Sequence, residues 1–188
     1  GRERIVAKFY PALDDNLKAF IARQHLFFVA TAPDDGRINL SPKGLDGLRV
    51  LDDKRVAYLD LTGSGNETAA HLLADGRMTL MFCSFEGNHL ILRLYGQGRA
   101  IQPANPEWAT LAPLFPTLPG TRQIILLDIE SLQTSCGAGV PLYTYTGERE
   151  ALLRWVEKKG EQGVRDYQHE KNRVSIDGLP TGLFEEAK

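Results

Sequence analysis

Residues 56–73, VAYLDLTGSGNETAAHLL, carry an apolar run into a glycine-rich turn and then directly into helix-forming residues. A strand that enters a helix through Gly-x-Gly leaves the N–H groups of the first helical turn without partners. The helix dipole adds positive potential at the same place, so the arrangement suits a phosphate or another anion. Ser64 and Thr68 add hydroxyls, Asn66 is the candidate cap, and Gly65 lets a ligand approach the backbone. The loop is neither a Walker A motif nor a dinucleotide fingerprint. It lacks the Gly-Lys-Ser/Thr of the first and the third glycine of the second. Taken alone, residues 63–68 read either as a simple phosphate cradle or as a well-capped strand-to-helix connection.

Other residues invite chemistry less directly. Lys43 lies in SPKG, residues 41–44, just after a β-prone run. It reads as a solvated surface lysine, or as a cation sharing one phosphate with an amide-rich loop on a neighbouring strand. Cys136, between Ser135 and Gly137, is either a thiolate supplied with N–H donors or a small residue in a tight turn. Cys83 sits in an apolar run and reads as core. His25, His71, His89 and His169 have no metal-binding spacing, and no Ser-His-Asp constellation follows from their order.

The elements that must position these groups are mostly strands. Residues 14–25 read as an amphipathic helix capped by Asp14 or Asp15, with Leu17, Phe20 and Ile21 on one face. Six strands are expected near residues 26–32, 38–41, 48–51, 55–61, 77–85 and 89–101. One helix, 66–74, interrupts them and ends at Gly76. Pairing mostly between sequence neighbours predicts a closed or half-closed antiparallel barrel rather than a doubly wound sheet. Gly96 and Gly98 inside the long strand predict a bulge or sharp bend. Beyond residue 101 come a short helix at 106–115, a strand at 121–135, a glycine-rich irregular stretch and a helix over 147–168. The tail from Asn172 is turn chemistry that packs as an arm or frays.

Composition bounds the function. The chain has 188 residues, 43% apolar and 24% charged, and a net charge of −2. It fits one domain, with residues 26–101 as the barrel core and 102–188 completing it. No basic field argues for nucleic acid or an anionic membrane. No run of eighteen or more apolar residues predicts a membrane helix, and the first fifteen residues hold no signal-peptide core. Two cysteines make no disulfide framework, which is the ordinary pattern of a reduced, cytoplasmic setting.

The order FFVATA, GRINLSPKG, VAYLDLTGSGNETAAHL, RMTLMFCSF and RLYGQGRAI resembles the flavin-binding split barrel of the pyridoxamine 5′-phosphate oxidase family. With SCGAGVP included, the chain is similar to the pyridoxamine 5′-phosphate oxidase-related FMN-binding branch over roughly residues 15 to 180. The resemblance implies a mainly β, α+β fold: a six-stranded antiparallel split barrel with flanking helices. It also implies a homodimer with FMN at the interface, acting in electron or hydride transfer on a small molecule.

By position, Ser41 and Lys43 fall in the SPKG motif, Lys43 contacting the FMN phosphate, and residues 44–48, with Gly44 and Leu45, lie along the flavin. Tyr58 and Leu59 match the strand end that contacts FMN, and Ser64, Gly65, Asn66, Glu67 and Thr68 match the second phosphate loop. Ile91, a cofactor-binding candidate, lies in the strand from His89 to Arg93, which matches one whose polar residue reaches the isoalloxazine region from across a dimer. Two departures stand out. Asn66-Glu67 replaces a basic pair, and the arginine- and histidine-containing substrate segment of true oxidases has no clear counterpart. Genuine pyridoxamine phosphate oxidase activity is therefore not implied. A non-catalytic flavin carrier or sensor is one alternative. The same fold with deazaflavin F420, or with haem, is another.

Overall fold

A computed structural model describes residues 7–185. Its strands are β1 (Lys8–Tyr10), β2 (Phe27–Thr31), β3 (Asn39–Lys43), β4 (Leu48–Asp52), β5 (Arg55–Leu61), β6 (Arg77–Cys83), β7 (Ile91–Ile101) and β8 (Thr121–Ser135). They form one antiparallel sheet in the order β3-β2-β6-β7-β8-β5-β4, with β1 added to β8. The sheet curls into a half-barrel, as the sequence predicts. Eight strands stand where six were expected up to residue 101 and a seventh at 121–135; the one addition is β1, three residues long and ending before Pro11, too short for any alternation to register.

β8 is the backbone of the sheet. One edge pairs with β7 along its length, and the other is shared between β5 and β1. Its IILL run, residues 124–127, is buried on both faces, which explains a continuous apolar stretch where a half-exposed strand would alternate. One face, with Ile125 and Leu127, joins Val29, Val56, Tyr58, Leu80 and Leu94 inside the curl. The other, with Ile124 and Leu126, packs with Ala57, Leu59, Ile101, Leu111 and Phe115. The bulge expected in the long strand is present: the β7–β8 register shifts between Tyr95 and Gly96.

The helices flank the sheet. α1 (Asp15–Ala22) is capped by Asp14, whose carboxylate accepts the Leu17 N–H at 2.8 Å. α2 (Glu67–Ala74) follows the glycine loop and packs across β2, β6 and β7, ending at Gly76 with its positive φ of 87°. The proline-rich stretch forms only α3 (Trp108–Leu111) and a 3₁₀ turn, Ala112–Leu114. α4 (Ala151–Lys171) starts four residues later than expected and is broken at Gly160, where φ is 71°. The tail from Asn172 packs as an arm through residue 185, with Asn172, Ser175, Thr181 and Leu183 buried; its last three residues lie outside the described ones. Among the described residues no helix is long and apolar enough to cross a membrane.

Candidate functional site

β3 is an edge strand whose alternation turns Asn39, Ser41 and Lys43 inward and leaves Leu40 and Pro42 exposed. Lys43 Nζ donates to Asp60 Oδ1 at 3.0 Å and lies 5.8 Å from the centre of the Tyr58 ring. Asn39 Nδ2 donates to Ser41 Oγ at 3.0 Å and reaches Thr68 Oγ1 at 3.4 Å. The SPKG strand and the glycine loop therefore meet, which spacing alone could not establish.

Asp60 is 3% exposed and is the hub of the site. Besides Lys43, its carboxylate accepts Arg122 Nε at 3.0 Å, Arg122 Nη2 at 2.7 Å and Gln123 Nε2 at 2.8 Å. Burial, the largest single influence, opposes ionisation. The charges of Arg122 and Lys43, with hydrogen bonds from Arg122 and Gln123, outweigh it and hold the carboxyl well below the usual range. Two cations thus face one carboxylate, leaving a net positive charge beneath the loop. Burial also pushes the Tyr58 phenol well up, Asp60 adding to the effect, and its hydroxyl lacks a well-formed hydrogen bond.

The loop itself is pinned from below. Thr62 donates its N–H and hydroxyl to Gly120 O at 2.9 and 2.8 Å. Arg122 Nη1 donates to Gly65 O at 2.8 Å, and Asn172 Nδ2 to Gly63 O at 3.0 Å. Asn66 is the residue before α2, but its side chain makes no capping bond. It turns inward instead: Oδ1 accepts Gln123 Nε2 at 2.7 Å and Nδ2 donates to Asn172 O at 3.1 Å. With the cap absent, the first N–H after Thr62 to find a backbone acceptor is that of Ala70, on Asn66 O at 3.4 Å. Ser64 and Gly65 are exposed above it. Glu67 leans aside, its Oε1 accepting the Ile176 N–H of the arm at 2.9 Å.

The remaining candidates are spread out. Gly44 and Leu45 follow β3 into a cavity of about 670 Å³ roofed by α1, with Phe27, Phe82 and Tyr145 in its wall. Tyr58 and Leu59 are buried on opposite faces of β5, in the two cores. Ile91 begins β7, three strands from β3 in the sheet order. His89 is exposed and pairs through Nδ1 with the Cys136 carbonyl; Cys136 is half-buried. Cys83 is buried, its thiol pushed up by burial. His71 is buried, with Nδ1 3.0 Å from Thr31 Oγ1 and Nε2 unpartnered.

Sequence reading missed Arg122, Gln123, Asp60 and Asn172 as members of the site. One signal was available: Arg-Gln at the start of a strand otherwise buried on both faces demands buried partners.

A family model described as pyridoxamine 5′-phosphate oxidase matches residues 13–136. A protein of Aspergillus flavus, the pyridoxamine 5′-phosphate oxidase family protein ustO, is 42% identical over 190 residues, covering 92% of this chain and 76% of the relative. Among solved structures, HupZ of Group A Streptococcus superposes with a TM-score of 0.53 at 22% identity, over 64% of this chain and 91% of that one. A Clostridium acetobutylicum protein related to general stress protein 26 of B. subtilis (pyridoxinephosphate oxidase family) gives 0.50 at 13% identity, over 64% and 86%. At these identities the structures speak for the fold. The family model and the 42% identical relative decide membership, and this chain belongs to the pyridoxamine 5′-phosphate oxidase family.

Proposed function

We propose that the protein is a homodimeric FMN-binding flavoprotein that carries out oxidation–reduction on a small molecule, and that it is not a genuine pyridoxamine phosphate oxidase. The observation that carries this reading is the buried, net-positive cluster that links Lys43 to the loop of residues 63–68: Lys43 pairs with Asp60, Asp60 with Arg122, and Arg122 donates to the Gly65 carbonyl. N–H groups at the start of α2 are left without backbone acceptors, Ser64 and Gly65 are exposed, and Glu67 is turned to the arm. That donor set fits a phosphate monoester, with the N–H groups and the Ser64 and Thr68 hydroxyls as ligands and Lys43 as the cation. Ser41, Gly44 and Leu45 continue from Lys43 along the path a flavin ring would take, and Ile91 would be supplied by the partner subunit. FMN, when bound, supplies the capacity to accept and release one or two electrons; the chain's own residues bind and orient it. Tyr58 supports this indirectly, its buried ring lying 5.8 Å from the Lys43 ammonium, while Leu59 packs in the core on the other face of the strand.

The protein as purified is expected to be yellow, with an absorbance maximum at about 450 nm and FMN in the supernatant after denaturation. A colourless protein that also fails to take up added FMN overturns the reading. Anaerobic bleaching by NADPH or NADH, with recovery in air, separates an enzyme from a passive flavin binder.

A further inference from the structure

We infer that Asn172, outside the strands and the glycine loop, is a positioning residue that sets the loop of residues 63–68 to receive a phosphate monoester, making the C-terminal arm part of the cofactor site. The inference rests on the phosphate-loop reading above. Asn172 is 0% exposed and follows α4 directly. Its Oδ1 accepts Arg122 Nη1 at 2.9 Å while its Nδ2 donates to Gly63 O at 3.0 Å. Its own carbonyl accepts Asn66 Nδ2 at 3.1 Å and Thr181 Oγ1 at 2.7 Å. One residue thus joins the loop, β8 and the arm.

The consequence lies in peptide geometry. In a trans peptide the C=O and the N–H that follows it point in opposite directions, and the described residues contain no cis bond. Asn172 draws the Gly63 carbonyl inward, so the Ser64 N–H of the same peptide faces away from the buried network. Arg122 Nη1, held by Asn172 Oδ1, draws the Gly65 carbonyl inward at 2.8 Å, so the Asn66 N–H also faces out. Two donors are turned toward the exposed side of the loop by a single side chain, acting once directly and once through arginine. The asparagine amide supplies both the acceptor and the donor this requires; aspartate keeps the acceptor alone and adds a negative charge beneath the anion.

The test compares FMN with riboflavin, which has the same ring and ribityl chain but no phosphate. Dissociation constants for both are measured by flavin fluorescence quenching on the wild type and Asn172→Asp, with thermal melting alongside. Asn172→Asp is expected to weaken FMN by roughly tenfold or more while leaving riboflavin within about twofold. Equal weakening of both flavins, or no change in either, overturns the inference. Thr181→Val, which removes the hydroxyl that holds the Asn172 carbonyl and accepts the Leu183 N–H, gives a milder version of the same selective loss and serves if Asn172→Asp fails to fold. A wild type that binds no flavin, or does not prefer FMN to riboflavin, overturns the phosphate-loop reading and this inference with it.

Discussion

Lys43 and Asp60 stand on strands five pairings apart in the sheet, through β3, β2, β6, β7, β8 and β5, yet their side chains meet at 3.0 Å. The contact joins one edge of the curled sheet to a strand near the other edge, across the opening of the half-barrel. Asp60 is deeply buried and also pairs with Arg122 at 2.7 Å, whereas the Lys43 side chain keeps 27% of its surface exposed. The pair is therefore asymmetric: one member is structural, and the other is free on one side to meet a ligand.

That asymmetry separates the effects of two alanine substitutions. Lys43→Ala leaves Asp60 with Arg122 and Gln123, so stability should fall by no more than about 1 kcal/mol. FMN affinity should drop about ten- to hundredfold, the size of a lost hydrogen bond to a charged group. Asp60→Ala strands Arg122, 4% exposed, without its carboxylate, and should cost about 3–5 kcal/mol in urea denaturation. Titration calorimetry and urea midpoints on the two variants check both halves; unchanged FMN affinity in Lys43→Ala removes Lys43 from the site.

The same carboxylate gives stability a pH dependence of known sign. Although burial raises its pKa, Arg122 and Lys43 lower it further, so folded Asp60 ionises well below its unfolded value of about 4. The unfolded chain then binds more protons in acid, and the contribution is complete above about pH 5 and is lost as pH falls below about 4. Between about pH 6 and about pH 3 the urea midpoint of the wild type should fall more steeply than that of Asp60→Asn. Parallel curves would mean that Asp60 is not the group responsible.

How much of this was legible in the sequence follows from which interactions are local. The loop, its exposed Ser64 and Gly65, and the helix after it announce themselves because strand, turn and helix are contiguous. Most strands were legible for the same reason, through alternation and turn residues. Lys43 reached the loop only through resemblance, and the structure supplies the missing step, Asp60 between them. The Arg122–Asn172 pairing links residues fifty positions apart, and no local pattern encodes it. Asn66 shows the limit of local rules. It is a good cap by type, but the buried Gln123 amide and the Asn172 main-chain carbonyl claim its side chain first.

The bulge in β7 predicts a contrast between two glycines. At Gly96 a Cβ would stand 1.9 Å from the Asp128 carbonyl oxygen and 2.9 Å from its carbon, both backbone. At Gly98 the obstacles are the Met78 sulfur at 2.7 Å and a Leu72 methyl at 2.9 Å, ends of side chains that can move. Overpacking of this kind typically costs about 1–3 kcal/mol, and where backbone must shift the cost lies at or above the upper end. Gly96→Ala should therefore lower the melting temperature more than Gly98→Ala, and the reverse order would contradict the packing described for the β7–β8 bulge.

Glu67 is the one feature of the loop that works against an anion, and its substitution should improve binding. Its Oε1 accepts the Ile176 N–H at 2.9 Å, and its Oε2 stands 3.9 Å from His71 Nε2. The carboxylate stabilises the start of α2 through the helix dipole, but it offsets the same positive potential that would hold a phosphate. Glu67→Gln keeps an oxygen for Ile176 and removes the charge. A dipole-scale effect of about 0.3–1 kcal/mol corresponds to roughly two- to fivefold tighter FMN binding. The gain should shrink as salt rises, because a partly exposed charge is screened, whereas a gain in packing would not. Weaker binding by Glu67→Gln at low salt would mean that the charge on the arm contact, and not its repulsion of the ligand, governs the loop.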